Sequence, residues 1–395
     1  LSAMPAQRRQ LWPFAALSAS YFAHIGFFNP YLPLWLKELG YSLVVISALT
    51  ALQSGTRLFA PYLWGWLSDH TGHRVWLMRF CATVALLASL ALAMPWGVAG
   101  VVVVLLVMFT HTSAMMPMSE AALAQIVSHG EGGFDAKRYG RIRLWGSLGF
   151  LVTVMLAGAW FERYGMGSFP HWTAGTLLLV TLSVWWMADQ RDAAHHASPS
   201  VPLGPVLRQP VVRWFLVSVF FHILAHIFVY IFFSLYLDSL GYSKTVIGLL
   251  WAASVVVEIG WFFTQGRWMP MLRLQRWLLL AAVLMALRMA VTAGWASWWW
   301  VLVLAQAVHA ITFAAHHSVC IALLTQYFPG RLRGRGQAMY AVVGYGLSGV
   351  LGGLAGGWIS ARWGLQTVFW LGSLAAVLAA VAAWRMPVAP AVPNA

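Results

Sequence analysis

The chain has 395 residues, of which 61% are hydrophobic and only 9% charged; a soluble domain carries roughly 25% charged residues, so an ordinary soluble enzyme or binding module is excluded. A mean hydropathy of +0.74 places most of the chain in lipid. The net charge of +14 would suit nucleic acid or a membrane surface, and its distribution along the chain excludes nucleic acid.

A helix that crosses a bilayer needs about 20 mostly apolar residues. In chain order such runs fall at 12–36, 43–67, 75–95, 98–127, 141–161, 171–188, 211–236, 244–265, 275–293, 297–326, 335–360 and 366–386. Residues 1–188 are predicted to form one six-helix bundle and 211–395 a second, joined by the polar, Pro-containing linker 189–210. The opening LSAMPAQRRQ has no secretory pattern, and Met4 reads as the native start. Cys81 and Cys320 both lie in apolar runs and imply no disulfide framework.

The two halves resemble each other. Residues 32–52 read LPLWLKELGYSLVVISALTAL and 233–253 read FSLYLDSLGYSKTVIGLLWAA, with Leu39 to Ser42 repeated 201 residues on at Leu240 to Ser243. LAGAWFERYG from Leu156 and LAGGWISARWG from Leu354 form a second pair, offset by 198. A duplicated, strongly apolar chain of this size points to a two-bundle transporter.

Orientation follows from charge. With the N-terminus in the cytoplasm, 18 of the 24 Lys and Arg residues fall on the cytoplasmic side. The other side holds four, Lys37, Arg163, Lys244 and Arg362, and Arg57 and Arg288 lie inside spans. The positive-inside rule then predicts both termini in the cytoplasm. A multi-pass protein of the bacterial cytoplasmic membrane, monomeric and in contact with lipid, is the expectation.

Ionisable groups inside a membrane are expensive and usually functional. Arg57, Glu120, Glu258 and Arg288 lie clearly within spans, and Arg143 sits at the start of the fifth. Arg57 and Glu258 are also 201 residues apart. They are therefore repeat mates at similar depth, suited to lock the halves together. His24, His111, His222, His226, His309, His316 and His317 add seven intramembrane imidazoles. With the two carboxylates they are plausible parts of a proton relay. His24, His111 and His222 also suit plain hydrogen bonds between helices.

At these residues the chain resembles the major facilitator superfamily. Gly65-Trp66-Leu67-Ser68-Asp69-His70-Thr71-Gly72-His73-Arg74 is similar to that superfamily's G-x-x-x-D-x-x-G-x-R loop. The resemblance implies an all-α integral membrane fold of 12 transmembrane helices in two pseudo-symmetric six-helix bundles. It also implies a cytoplasmic gate at Asp69 and Arg74. The equivalent loop from Gly266 lacks the aspartate.

Across nearly the whole chain the resemblance is to the lactose permease and 3-phenylpropionate permease groups of proton symporters. Tyr139 to Ser147, YGRIRLWGS, looks like the phenylpropionate-permease signature entering the fifth span. By this resemblance Arg143 takes the place of a sugar-binding arginine. Glu120, Glu258, Arg288 and His309 take the family's places in spans four, eight, nine and ten. Three residues after His309 the lactose permeases carry a proton-translocating glutamate, and here stands Thr312. A threonine cannot carry the proton. The role is therefore expected of Glu258, assisted by His309 or the His316/His317 pair.

Three arginines against two carboxylates favour an anionic cargo, held by a planar guanidinium. Arg143 is the first expectation for that role, with Arg57 and Arg288 as competitors and Glu120 and Glu258 orienting them. Tyr21, Phe27, Tyr230, Trp251 and Trp261 are candidates to stack an aromatic body. The function expected is proton symport of a small organic carboxylate of the phenylpropionate kind. A sugar or nucleoside symporter and a drug or metabolite exporter are the alternatives, ahead of a sensor or a lipid-flipping protein. No cofactor is implied. No H-E-x-x-H metal motif and no nucleophile elbow occurs, so an enzyme is not expected.

Overall fold

The structure is a computed structural model that describes residues 4–113, 115–128, 136–188, 202–329 and 332–387. Among these the regular elements are all helical: α1 (Met4–Glu38), α2 (Leu43–Thr56), α3 (Ala60–Thr71), α4 (Arg74–Leu90), α5 (Val98–Thr112), α6 (Met115–Ser128), α7 (Ala136–Tyr164), α8 (Phe169–Trp185) and the single turn α9 (Gly204–Leu207). Then follow α10 (Pro210–Ser239), α11 (Lys244–Trp268), α12 (Leu274–Trp295), α13 (Trp299–Ala307), α14 (His316–Tyr327), α15 (Arg333–Tyr340), α16 (Ser348–Trp363) and α17 (Leu365–Trp384). Six-residue and seven-residue π-helical stretches, Ala310–Ala315 and Ala341–Leu347, join α13 to α14 and α15 to α16.

Ten helical stretches among the described residues are long and apolar enough to cross a bilayer. The two remaining predicted spans lie in α1 and α8. The first has 35 residues and three prolines; the second has 17 residues, near the lower limit for crossing. The protein is a multi-span integral membrane protein. Of the predicted linker, 189–201 lie outside the described residues, and 204–207 form α9.

The sequence repeats have a local physical meaning. Gly40 and Gly241 both adopt a left-handed backbone, φ +83° and +84°, which glycine reaches at no steric cost. Each closes a helix: Gly40 N–H donates to Lys37 O and Gly241 N–H to Asp238 O. Two residues on, Ser42 Oγ accepts from Val45 N–H at 3.4 Å and Ser243 Oγ from Val246 N–H at 3.2 Å. Leu-Gly-Tyr-Ser is thus a stop followed by an N-cap. Gly165 and Gly364 end the second repeat pair, also with positive φ, +76° and +87°.

Two predicted spans are interrupted. The run 43–68 breaks at Arg57 to Phe59 between α2 and α3. Pro61 has no N–H to give the Arg57 carbonyl four residues back, so the helix cannot run through. In the same way Pro117 removes the donor for Ser113, where α5 ends.

Contacts divide the chain into two units. The first comprises 1–41, 55–197 and 242–252; the second comprises 42–54, 198–241 and 253–395. Segments 42–54 and 242–252 thus each group with the helices of the other half of the sequence. In the first unit α1 lies directly on α7. A Cβ on Gly149 would overlap the Ala19 carbonyl oxygen, and one on Gly26 would lie 2.7 Å from the Phe150 oxygen. Thr153 Oγ1 donates across this seam to Ala23 O at 2.8 Å. The start of α11 is held in the same unit: Tyr31 hydroxyl reaches the carbonyls of Val154 (3.2 Å) and Lys244 (3.1 Å) between Gly158 and Gly248. Glu162 Oε2 accepts from the Lys244 N–H at 2.6 Å.

In the second unit α2 meets α16 through small residues, Ala51 against Gly353 and Ser54 against Gly349. Gly352 and Gly356 admit Ile227 and Phe232 of α10. Lipid gives helices no hydrophobic reason to associate, so close approach over small residues holds such contacts. Gly149→Ala should therefore destabilise the first unit. Overpacking of this kind costs about 1–3 kcal/mol, read as a lowered melting temperature of the purified protein. An unchanged melting temperature would mean that α1 and α7 part without loss.

Candidate functional site

The second unit gathers the polar groups that lipid would not tolerate. α12 carries Arg288, which is 4% exposed. Its guanidinium donates to His309 Nδ1 at 3.1 Å, Thr312 Oγ1 at 3.2 Å and Gln306 Oε1 at 2.9 Å. All three acceptors are neutral and come from the stretch 299–327. An arginine can only donate, so His309 Nδ1 is an acceptor and the neutral ring carries its proton on Nε2. That nitrogen faces Glu258 Oε2 of α11 at 3.7 Å, within ion-pair reach but longer than a hydrogen bond. Arg288, His309 and Glu258 therefore form one line across three spans.

The π-helical stretch starts one residue after His309. Such bulges loosen the ladder and recur at functional sites. Here it carries Thr312, whose side chain accepts from Arg288 while its carbonyl accepts from His222 Nε2 of α10 at 2.7 Å. His222 stacks on His316 with ring centroids 3.7 Å apart and planes inclined by 11°. His226 lies 5.1 Å from His222 and 6.0 Å from His309. His317 approaches the Tyr340 hydroxyl through Nδ1 at 3.4 Å. A small cavity opens between α10, the π-helical stretch and Tyr345.

The predicted site residues thus fare differently. Glu258, Arg288 and His309 meet, and His316 and His317 belong to the same polar column. Arg57 lies in the first unit at the break between α2 and α3, half-buried, with no hydrogen bond or ion pair among the described residues. Glu258, its repeat mate, has His309 as its partner within the second unit. Glu120 is half-buried on α6. The side chains of Arg143 and Asp69 lie outside the described residues. Arg74 Nε donates to Ser68 Oγ at 3.4 Å at the start of α4.

Two histidines read as possible bonds between helices make them: His24 meets Thr176 of α8 at 3.0 Å, and His222 meets Thr312. His111 instead bonds its own helix at Val107 O. Of the aromatic candidates, Phe27 is fully buried among His24, Phe28, Phe169 and Trp172 and offers no free face. Trp261 packs edge-on against Trp277. Tyr230 lines the cavity. Gln306 was not singled out, and His226 was read only as one of seven intramembrane histidines. The signal for His226 was its spacing of four from His222, one face of a helix; for Gln306 it was a lone amide in WWVLVLAQA.

A buried line of Arg, His and Glu on discontinuous helices suits a membrane carrier, and comparison with known proteins decides the family. The profile of the MFS_1 like family matches residues 11–371. The chain belongs to that family. It is a membrane transporter of the major facilitator kind and not an enzyme. It is 27% identical over 375 residues to the maltose permease of Geobacillus stearothermophilus, covering 90% of this chain and 89% of that protein. It is also 27% identical over 378 residues to the probable 3-phenylpropionic acid transporter of Escherichia coli (strain K12), covering 91% and 93%. Among solved structures, a point mutant of the nucleoside transporter NupG superposes with a TM-score of 0.83 at 17% identity, over 95% of this chain and 99% of that one. The xylose transporter XylE of E. coli gives 0.72 at 13%, over 94% and 95%. These likenesses bear out the expected major facilitator fold.

Proposed function

We propose that this MFS_1 like transporter takes up a small organic anion, an aromatic carboxylate first, together with a proton. The observation that carries the reading is Arg288, a buried guanidinium whose hydrogen-bond partners are all neutral. Buried charge is otherwise paired. Three of its five N–H groups are used, which leaves donors for a carboxylate. Thr312 stands where the resemblance places an acid, so span ten supplies no anion of its own.

Coupling follows from charge. With Glu258 ionised, its charge offsets Arg288 through His309. Protonation of Glu258 leaves the centre positive and favours an incoming anion. Proton and carboxylate then load together as a neutral pair, which membrane potential does not oppose. His316 and His317 extend the polar column as assistants.

In the first unit Arg143 and Arg57, with Glu120, remain candidates to contact the cargo. Asp69 and Arg74 are proposed to gate the cytoplasmic side. The 18-to-4 charge asymmetry supports cytoplasmic termini in a bacterial inner membrane. The bundle limits 1–188 and 211–395 and a monomeric state belong to the same reading.

Proton-coupled sugar uptake is the second reading, because the maltose permease is equally identical. A thermal-stability screen of the purified protein separates the two, since a ligand that binds only the folded state raises its melting temperature. 3-Phenylpropionate is expected to stabilise and maltose to leave the midpoint unchanged. Stabilisation by maltose alone would replace the organic-anion reading with the sugar one.

A further inference from the structure

The cavity beside Arg288 carries a recognition chemistry that the guanidinium does not. His222, His226, Tyr230, Thr312, Phe313 and Tyr345 are among its lining residues. Fixed partners set the tautomers of the two α10 histidines. His222 Nε2 faces the Thr312 carbonyl, which can only accept, so Nε2 carries the proton. His226 Nδ1 likewise faces the His222 carbonyl at 3.4 Å and donates to it. In the neutral rings this leaves His222 Nδ1 and His226 Nε2 as bare acceptors. Both atoms are buried with no hydrogen-bond partner among the described residues, and the two residues are 1% and 3% exposed. A buried acceptor left unsatisfied costs about 1–3 kcal/mol.

Size and charge narrow the donor. About 10 Å³ is open to the centre of a water-sized group, roughly the room for one water or one hydroxyl. An ammonium is disfavoured, because Arg288 is bonded to Thr312 in the cavity wall. The remaining wall is aromatic, with Tyr230, Phe313 and Tyr345 beside the imidazoles. A neutral O–H satisfies the size and charge conditions, and the aromatic wall suits a ring that carries it.

We propose that the cargo is a hydroxylated aromatic acid, whose hydroxyl donates to one acceptor of the His222/His226 pair while its carboxylate lies against Arg288. This rests on the organic-anion reading and names the substrate class within it. The acceptor pair acts as the specificity element and the guanidinium as the anchor.

The test is displacement of labelled 3-phenylpropionate from the purified full chain, with maltose as a further competitor. The competitors are its meta- and para-hydroxy derivatives and the corresponding methyl derivatives, which match the hydroxyl in size. One hydroxy isomer should bind about ten-fold more tightly than its methyl counterpart, the effect of one added neutral hydrogen bond. In His226→Phe or in His222→Phe that ratio should fall to about one. A ratio under about two for both isomers in the wild type overturns the proposal without need of any variant. So does a ten-fold ratio that survives in both His226→Phe and His222→Phe. Binding of maltose with neither class of acid bound removes the organic-anion reading as well, and is thereby distinct from failure of the hydroxyl preference alone.

Discussion

Glu258→Gln is expected to abolish accumulation of cargo against a gradient while leaving exchange at equal concentrations within about two-fold of wild type. Glutamine keeps the shape and polarity of the side chain and cannot take up or release a proton. The centre of Arg288 and His309 then keeps its positive charge, so cargo still binds but no proton travels with it. For one proton per cargo, a pH step of one unit stores about 1.4 kcal/mol and drives about a ten-fold ratio. The variant should give a ratio near one. Its affinity for an organic anion should also vary less with pH than that of the wild type, in which the Glu258 carboxylate competes for Arg288. Uptake into proteoliposomes with an imposed pH step checks the first outcome, and titration of binding at two pH values checks the second. Accumulation comparable to wild type would pass the proton-carrying role to His309, His316 or His317.

Arg288→Lys should lower affinity for the cargo by about 10–100-fold, the range for loss of a charge-assisted hydrogen bond of 1.5–3 kcal/mol. The formal charge is kept, so a purely electrostatic role predicts little change. What is lost is the planar fork that reaches His309, Thr312 and Gln306 together. An ammonium cannot hold all three and still present a paired donor edge to a carboxylate. Equilibrium binding of labelled 3-phenylpropionate, compared with Arg143→Lys under the same conditions, decides which arginine is the anchor. A change under about three-fold in Arg288→Lys with a large loss in Arg143→Lys would move the anion site to the first unit.

The helices were legible because lipid demands long apolar runs, and the Leu-Gly-Tyr-Ser repeat marked real helix ends at Gly40 and Gly241. The breaks after Thr56 and Thr112 were not read, although Pro61 and Pro117 each stand four residues beyond the carbonyl they leave unpaired. The π-helical stretches after His309 and Tyr340 have no comparable residue signal. In the site, Glu258, Arg288 and His309 stood out because charge is scarce in an apolar chain. Their mutual arrangement did not, because it depends on how far each helix is turned about its axis. That rotation is set by neighbours such as Gly344, Gly352 and Gly356, which let α10 approach closely. Gln306 escaped notice, and His226 was not told apart from the other histidines, for the same reason: a polar residue in an apolar run is functional or structural according to what it faces.

The most direct measurement of the central claim is uptake of labelled 3-phenylpropionate by the wild-type chain in proteoliposomes. An inside-alkaline pH step and an inside-negative membrane potential are imposed separately. Electroneutral symport predicts accumulation that follows the pH step and is indifferent to the potential. Uptake that ignores the pH step, or that the potential alone drives, would contradict a proton and an organic anion crossing together.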